Sequence, residues 1–190
     1  MKKDDSPFLF IGNNLAIDFT NTVIVKNGEV VDLLANGVDL AQWTHDAGLS
    51  VDTKRFSPTD FSTVLKLRAA IQKIIDAMMN DSPSPRSALA TINQHLAQFS
   101  SQQVLRYKDN EYILQPAQTK LTADGLLSRL AQEAADLLSS PQARQIKRCS
   151  NKDCILTFVD TSRSHKRRWC SMDTCGNRSK VATHYRKTTS

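Results

Sequence analysis

Residues 149–175 read CSNKDCILTFVDTSRSHKRRWCSMDTC and contain all four cysteines of this 190-residue chain. The cysteines form two close pairs, each spaced C-x4-C, with fifteen residues between the pairs. This arrangement is typical of a structural zinc site, in which each pair forms a tight turn that directs two thiolates at one ion. The spacing therefore predicts that Cys149, Cys154, Cys170 and Cys175 bind a single zinc ion tetrahedrally.

Disulfide bonds and incidental packing are the alternative explanations of these cysteines. Disulfide bonds need an oxidising compartment, whereas the N-terminal stretch MKKDDSPFLFIGNNLAIDF lacks the apolar region and the cleavage site of a signal peptide. We therefore expect a cytoplasmic protein with reduced cysteines. Incidental cysteines would not all fall within 27 residues. Four thiolate ligands leave no open position for water, so we expect a structural ion and not a catalytic one.

Charge is distributed unevenly along the chain. Residues 141–190 contain 12 Lys and Arg against 3 Asp and Glu, whereas residues 1–140 contain 13 against 16. A strongly basic quarter beside a mildly acidic remainder suggests contact with a polyanion. A solvated basic surface explains the charge equally well, so charge alone leaves both explanations open. The chain has no run of 18 apolar residues, which argues against a membrane span.

Two basic segments are candidates for nucleic-acid contact: the loop between the cysteine pairs and a helix predicted after Cys175. The candidate residues are Arg163, Lys166, Arg167, Arg168, Lys180, His184, Arg186 and Lys187. Contacts with phosphate require only charge and reach, so these residues predict affinity and salt dependence more than sequence recognition. Lys180 and His184 are the best candidates for contact with base edges.

Arg178 is expected to have a different role. At 100° per residue, Arg178 shares one face of the predicted helix with Val181, on the side opposite to most of the basic residues. We therefore expect Arg178 to point inward and pair with a carboxylate, for which Asp160 and Asp173 are the candidates. Direct contact with nucleic acid is the alternative. Asn177 is suited to the N-cap of this helix.

The first 140 residues predict a helix-rich domain with small β elements. Ser57-Pro58-Thr59-Asp60 is a strong helix start, and apolar residues recur at helical spacing after it. Other helices are predicted in DLAQWTHDAGL, around Leu89 to Phe99 and from about Thr122 to Ser139. The turn signals Asn27-Gly28 and Asp109-Asn110 predict two hairpins, and Phe8–Ile11 predicts a short strand.

Ser139-Ser140-Pro141 marks the expected boundary between two parts of the chain. Residues 1–140, called the helical domain below, form a mainly α domain with small β hairpins in this prediction. Residues 141–190, called the cysteine module, form a small β/α zinc module. Its predicted strands lie within residues 144–148, 155–159 and 167–170.

Several polar residues interrupt apolar stretches of the helical domain, namely Asp18, Asn21 and Arg68. Buried polar groups need partners, so we expect Arg68 to pair with Asp18 or with a carbonyl inside the fold. The alternative is that these groups, together with Trp43 or Arg178, line a pocket for a small-molecule effector.

The cysteine module resembles the CGNR zinc-finger family. The resemblance rests on Phe158-x-Asp160-x-Ser162, on Arg167–Met172, and on Cys175–Arg178 with Lys180. The N-terminal segments FIGNNLAIDFTNTV, DLAQWTHDAGL and VLKLRAAI resemble the ABATE domain, which precedes this finger in the family. The family pattern usually has Gly-Gly where this chain has Asn13-Asn14. The resemblance implies a bacterial, stress-induced transcriptional regulator whose N-terminal domain is mainly helical.

We therefore expect a DNA-binding regulator whose helical domain acts as a sensor or dimerisation domain. The alternative is an RNA-binding or protein-interaction module that docks on an acidic partner. A homodimer is a reasonable hypothesis because a single finger usually binds a short site. No enzymatic activity is expected, because the sequence shows no nucleophile–base pair, phosphate-binding loop or open metal site.

Overall fold

The computed structural model describes residues 6–98, 103–116 and 120–181. Within these residues, the helical domain contains five α-helices and two hairpins, and the cysteine module contains one short hairpin and a helical segment after Cys175. In chain order the elements are α1 (Leu15–Thr20), β1 (Val23–Lys26), β2 (Glu29–Asp32), α2 (Gly37–Asp46), α3 (Pro58–Met79), α4 (Arg86–Leu96), β3 (Gln103–Lys108), β4 (Glu111–Pro116), α5 (Ala123–Ser139), β5 (Ile146–Arg148) and β6 (Thr157–Val159).

Helix α3 is the central element of the helical domain and contacts each of the other four helices. It begins where the sequence predicts, because Ser57 and Asp60 form a capping box. The Ser57 hydroxyl accepts the Asp60 N–H at 3.1 Å, and the Asp60 carboxylate accepts the Ser57 N–H at 2.8 Å. The described helices, of which α3 is the longest, include none with the length and apolar character that a membrane span requires.

The core of the helical domain lies between α3 and its neighbours. Trp43 of α2 is completely buried, and its ring packs against the rings of Phe19, at 5.1 Å between centroids, and Phe10, at 6.3 Å. Two residues of the cysteine module, Ile146 and Val159, belong to the same core. The two predicted parts of the chain therefore share buried apolar surface.

Three antiparallel hairpins complete the fold, and two of them turn where the sequence predicts. Asn27 and Gly28 have positive φ angles of 54° and 85° between β1 and β2, and Asp109 and Asn110 have 52° and 66° between β3 and β4. Asn, Asp and Gly tolerate this left-handed conformation better than other residues, which explains their place in these turns. The third hairpin pairs β5 with β6.

The first turn of the chain explains why Asn13-Asn14 can replace Gly-Gly. Asn13 has a φ of 59°, which Asn adopts more readily than most residues. Asn14 is the N-cap of α1, and its side-chain oxygen accepts the N–H groups of Ala16 and Ile17. The predicted strand at Phe8–Ile11 is wrong, because this segment forms no strand pairing within the described residues.

Two further predictions for the cysteine module are wrong. Residues 167–170 do not form a strand, and a single π-helical turn, Met172–Gly176, continues directly into helical residues 177–181. Asn177 consequently has helical angles, φ −66° and ψ −41°, and is not an N-cap. Gly176 lies close to the end of the Met172 side chain, since a Cβ atom there would lie 2.8 Å from Sδ of Met172.

Candidate metal centre

The four cysteines are brought together by a short hairpin and two tight turns. Cys149 follows β5 directly, and its N–H donates to the Leu156 carbonyl at 2.9 Å. Cys154 follows a turn closed by its own N–H, which donates to the Asn151 carbonyl at 3.0 Å. Cys170 ends the long loop, and Cys175 lies in the π-helical turn. Each C-x4-C pair thus occupies a compact turn, as the spacing predicts.

The sulfur atoms have the separation that a tetrahedral ion requires. All four lie within 4.8 Å of one another, and Sγ of Cys170 is 3.8 Å from that of Cys154 and 3.6 Å from that of Cys175. Zn–S bonds of about 2.3 Å place tetrahedral sulfur ligands about 3.8 Å apart. The four side chains therefore fit one zinc ion.

Hydrogen bonds to sulfur support the same arrangement. The Cys170 N–H donates to Sγ of Cys149 at 3.4 Å, and Nδ2 of Asn151 donates to Sγ of Cys175 at 3.5 Å. Such outer contacts orient metal ligands and stabilise negative charge on them. Cys149, Cys170 and Cys175 are buried, and Cys154 is partly buried. A closed site of four thiolates suits a structural ion and leaves no position for catalytic water.

The thiols influence one another strongly. The hydrogen bond from the Cys170 side chain, opposed by burial and assisted by the Leu156 N–H, lowers the pKa of Cys154 to about 5. The same side-chain contact, together with burial and the neighbouring thiolates, raises the pKa of Cys170. Several thiolates this close together repel one another. Cationic zinc relieves the repulsion between the thiolates, because metal binding stabilises the deprotonated form of every ligand.

Arg167 holds the loop between the cysteine pairs against the site. Its guanidinium donates to three carbonyl oxygens: Trp169 at 2.9 Å, Ile11 at 3.0 Å and Cys170 through a short contact. The same group lies 4.1 Å from the centre of the Phe158 ring. These contacts give Arg167 a structural role. Its half-buried side chain also lines a surface groove, so its assignment as a nucleic-acid contact stays a prediction.

Asp160 is the buried anion of the cysteine module. Its carboxylate accepts hydrogen bonds from Lys147 at 2.7 Å, from the Ser162 hydroxyl at 2.6 Å and from the Arg167 N–H at 2.9 Å. Burial acts to raise the pKa of Asp160, but these donors hold it well below its ordinary value. Asp160 therefore stabilises the loop and is not the partner of Arg178.

The cysteine module is attached to the helical domain by hydrogen bonds from the backbone of β6 to two asparagine side chains and to one backbone carbonyl. Asn21, at the end of α1, donates its amide N–H to the Thr157 carbonyl at 2.9 Å and accepts the Thr157 N–H at 3.0 Å. The Val159 N–H donates to the Gly12 carbonyl at 2.8 Å, and Nδ2 of Asn13 donates to the Val159 carbonyl at 2.9 Å. Gly12 and Asn13 thus form hydrogen bonds with the backbone of Val159 in β6.

A salt bridge joins the two parts at another point. Arg148, next to the first cysteine, lies 2.5 Å from the carboxylate of Asp76 on α3. Arg148 therefore has a partner within the chain, as Lys147 beside it has in Asp160, although the Arg148 side chain is 51% exposed.

Arg178 is exposed, so the prediction that it points inward is wrong. It lines a cavity of about 640 Å³ together with Lys152 of the cysteine module and the β1–β2 turn, to which Lys26 contributes. Among the described residues that line this cavity, Asp153 is the one acidic residue. Sequence reasoning did not identify Lys26 and Lys152, although a lysine directly before the Asn27-Gly28 turn is a signal of an exposed cation.

Of the other predicted nucleic-acid contacts, those within the described residues lie on the surface. Arg163, Lys166, Arg168 and Lys180 are exposed. Lys166 and Arg168 line a groove of about 820 Å³ together with Lys147, Arg148 and Arg167. The Arg168 guanidinium lies 5.2 Å from the centre of the Trp169 ring. His184, Arg186 and Lys187 lie outside the described residues.

The polar residues proposed for a pocket in the helical domain each have a separate structural contact. Arg68 pairs with Asp32, through bonds of 2.5 and 2.8 Å, and with the Thr22 hydroxyl at 2.7 Å. The prediction that Arg68 pairs with Asp18 is therefore wrong. Asp18 instead accepts the Gly12 N–H at 2.7 Å, and Trp43 lies in the core. These contacts support the structural explanation of Asp18, Asn21, Trp43 and Arg68.

Two protein-family models match the chain. Residues 13–141 match the ABATE family model, described as "Putative stress-induced transcription regulator". Residues 145–188 match the CGNR zinc finger. No curated protein matches the chain. Because the first match covers more than half of the chain and the second covers the four clustered cysteines, the protein belongs to the ABATE family of transcription regulators and carries a CGNR zinc finger at its C-terminal side.

Proposed function

We propose that this protein is a bacterial transcription regulator that binds double-stranded DNA through the cysteine module, with zinc in a purely structural role. The observation that carries this proposal is the division of the module's cations into two sets. Lys147, Arg148 and Arg167 are held by internal contacts. The exposed set consists of Arg144, Lys152, Arg163, Lys166, Arg168, Arg178 and Lys180, to which the described residues offer no hydrogen-bond or salt-bridge partner, although the Trp169 ring lies beside Arg168.

Exposed cations of this kind suit the phosphate backbone of nucleic acid. Each phosphate contact releases counterions and adds to a salt-dependent affinity. The cavity beside Arg178 and Lys152 adds Lys26 to the positive surface, with Asp153 as the single opposing charge among the described residues that line it. We propose that this cavity contacts phosphate as well, so that the helical domain contributes to the interface through its β1–β2 turn.

We propose further that the protein is a cytoplasmic binding protein without catalytic activity. Thiolate ligands are stable in a reducing compartment, and the closed four-sulfur site offers no position for a substrate. The second candidate function is binding of RNA or of an acidic protein, since the same exposed cations would serve either partner.

A binding titration across salt concentrations tests the proposal. The zinc-loaded full chain is mixed with labelled double-stranded DNA, and separately with RNA of the same sequence, and anisotropy is followed. About five phosphate contacts predict a slope near −4.5 in log affinity against log salt for duplex DNA. Tighter binding to RNA supports the second candidate, and no binding to either polymer at low salt supports a protein partner.

Matched variants separate specific contact from bulk charge. Lys166→Ala and Arg168→Ala remove exposed cations of the groove, and Lys73→Ala removes an exposed lysine of α3 as a control. Each module variant is expected to weaken DNA binding and to reduce the salt slope by about one, whereas Lys73→Ala leaves both unchanged. Equal effects of all three variants would contradict a defined interface. Genomic footprinting with a Cys170→Ser control would then identify the bound sites.

A further inference from the structure

The hairpin formed by β3 and β4 carries an uncovered apolar face. Leu105 lies directly opposite Leu114, and Tyr107 lies opposite Tyr112. Because directly opposed residues share a face and side chains alternate along a strand, these four side chains lie on one side of the hairpin. Their exposed fractions are 64% and 62% for the leucines and 61% and 75% for the tyrosines.

Little of the described molecule supports this hairpin. Among the described helices and strands, none packs extensively against β3 or β4. An isolated two-stranded hairpin is marginally stable in water and ordinarily needs an apolar face packed against another element. Four adjacent large apolar side chains on one exposed face are also more than scattered surface hydrophobicity, and such patches mark interaction sites.

The chemistry of the hairpin favours a copy of itself as the occupant. The apolar face has matched rows, Leu beside Leu and Tyr beside Tyr, the tyrosine rings lying 5.0 Å apart. The remaining charges of the hairpin are two basic residues and two acidic residues, namely Arg106, Lys108, Asp109 and Glu111. With no net charge, two copies do not repel each other, and the hairpin offers no attraction to a strongly charged partner.

The area is also sufficient for a dimer. Four aromatic and leucine side chains at these exposures offer on the order of 500 Å² per copy, hence about 1,000 Å² in total, which is the lower bound for a specific interface. We propose that this protein forms a two-fold homodimer in which the apolar faces of two β3–β4 hairpins pack together. An interface of this size predicts an association that is weak and depends on concentration. The proposal does not depend on DNA binding, although a dimer would present two cysteine modules to one site.

Sedimentation velocity of the zinc-loaded full chain tests the proposal, over concentrations from about 1 to about 300 µM. We expect a monomer–dimer equilibrium with a dissociation constant on the order of 10 µM. The double variant Leu105→Lys with Leu114→Glu places an opposite-charge pair across the strands, which preserves the hairpin and removes its apolar face. This variant is expected to weaken the dimer at least about a hundredfold.

A change on the opposite side of the same hairpin is the matched control. Ile113 lies opposite Arg106, so Ile113→Glu creates a favourable charge pair without touching the apolar face. We expect this variant to dimerise like the wild type. A single-chain mass at every concentration would overturn the proposal. Equal loss of the dimer in both variants, or retention in both, would overturn its assignment to this face.

Discussion

The helical domain and the cysteine module are stabilised in different ways. The helical domain encloses a large apolar core around α3, with Trp43, Phe19 and Ile71 completely buried. The separate core of the cysteine module contains five buried residues, of which three are the metal ligands Cys149, Cys170 and Cys175. So small a core cannot offset the conformational entropy of the chain around it. Burial of apolar side chains therefore stabilises the helical domain, whereas the cysteine module needs metal binding in order to fold.

The largest expected effect is therefore the loss of zinc. Cys170→Ser, or removal of the ion by a chelator, takes away on the order of 10 kcal/mol of binding free energy. We expect the cysteine module to unfold while the far-ultraviolet circular dichroism of the five helices is largely retained. The helical domain should melt at a lower temperature, because it also loses Ile146 and Val159 from its core.

The substitution Trp43→Ala tests the same comparison by destabilising the helical domain and leaving the zinc ligands in place. Removing this buried ring should cost the helical domain about 3–5 kcal/mol. Zinc measured by atomic absorption should remain at one ion per chain, because no ligand or hydrogen bond to sulfur involves Trp43. Complete unfolding of the helices in Cys170→Ser, or loss of zinc in Trp43→Ala, would show that the two parts fold as one unit.

Two arginines sharpen the comparison within the cysteine module. Arg167 makes three hydrogen bonds to carbonyl oxygens, whereas Arg178 is exposed beside the 640 Å³ cavity. Arg167→Lys keeps the charge but loses the planar fork, so we expect the module to lose about 2–3 kcal/mol of unfolding free energy. Arg178→Lys should leave that free energy unchanged.

Zinc release into a chromogenic chelator during denaturant titration measures both effects. Arg178→Ala should in addition weaken DNA binding and reduce its salt slope by about one, with no change in zinc release. If Arg178→Lys destabilises the module as much as Arg167→Lys does, the structural role assigned to Arg167 alone is wrong.

The sequence predicts that Arg178 makes the structural contacts of the module, but the structure shows Arg178 exposed and Arg167 bonded to carbonyl oxygens. The helical-wheel argument counts 100° per residue from Arg178 and assumes that apolar contact sets the orientation of the helix. In the structure, a π-helical turn directly precedes residues 177–181 and changes that orientation, and Val181 is 54% exposed. A π turn inserts an extra residue into the helical repeat, and the sequence carries no periodic signal for it.

Local chemistry was predictable, and long-range partners were not. The helix start at Ser57 and the turn at Asn27-Gly28 follow from residues a few positions apart, and the four ligands follow from two C-x4-C pairs. The structure agrees with each of these predictions. Arg68 and its partner Asp32 are 36 positions apart, and Asn21 and Thr157 are 136 apart. The sequence shows that such polar groups need partners, but several carboxylates and many carbonyls satisfy that need equally well.

The smallest expected effect concerns the first turn, where the helical domain meets the cysteine module. Burial raises the pKa of Asp18 to about 6, although the N–H groups of Gly12 and Ile11 partly oppose the shift. Because the pKa is higher in the folded state than the ordinary value of 3.8, the folded protein binds the extra proton between these values. This contribution to stability is complete below about pH 4 and is lost as the pH rises through about 6.

Asp18→Asn removes this titration and keeps an oxygen that can accept the Gly12 N–H. We expect the variant to be more stable than the wild type at pH 8, by about 3 kcal/mol, because the buried charge is absent. The difference should shrink as the pH falls and should vanish near pH 4, where the wild-type carboxyl is neutral. Chemical denaturation of both proteins at several pH values measures it, and the subtraction removes groups that titrate equally in both. A difference that stays constant from pH 4 to pH 8 would show that Asp18 does not titrate in this range, and the first turn would then join the two parts without any dependence on pH.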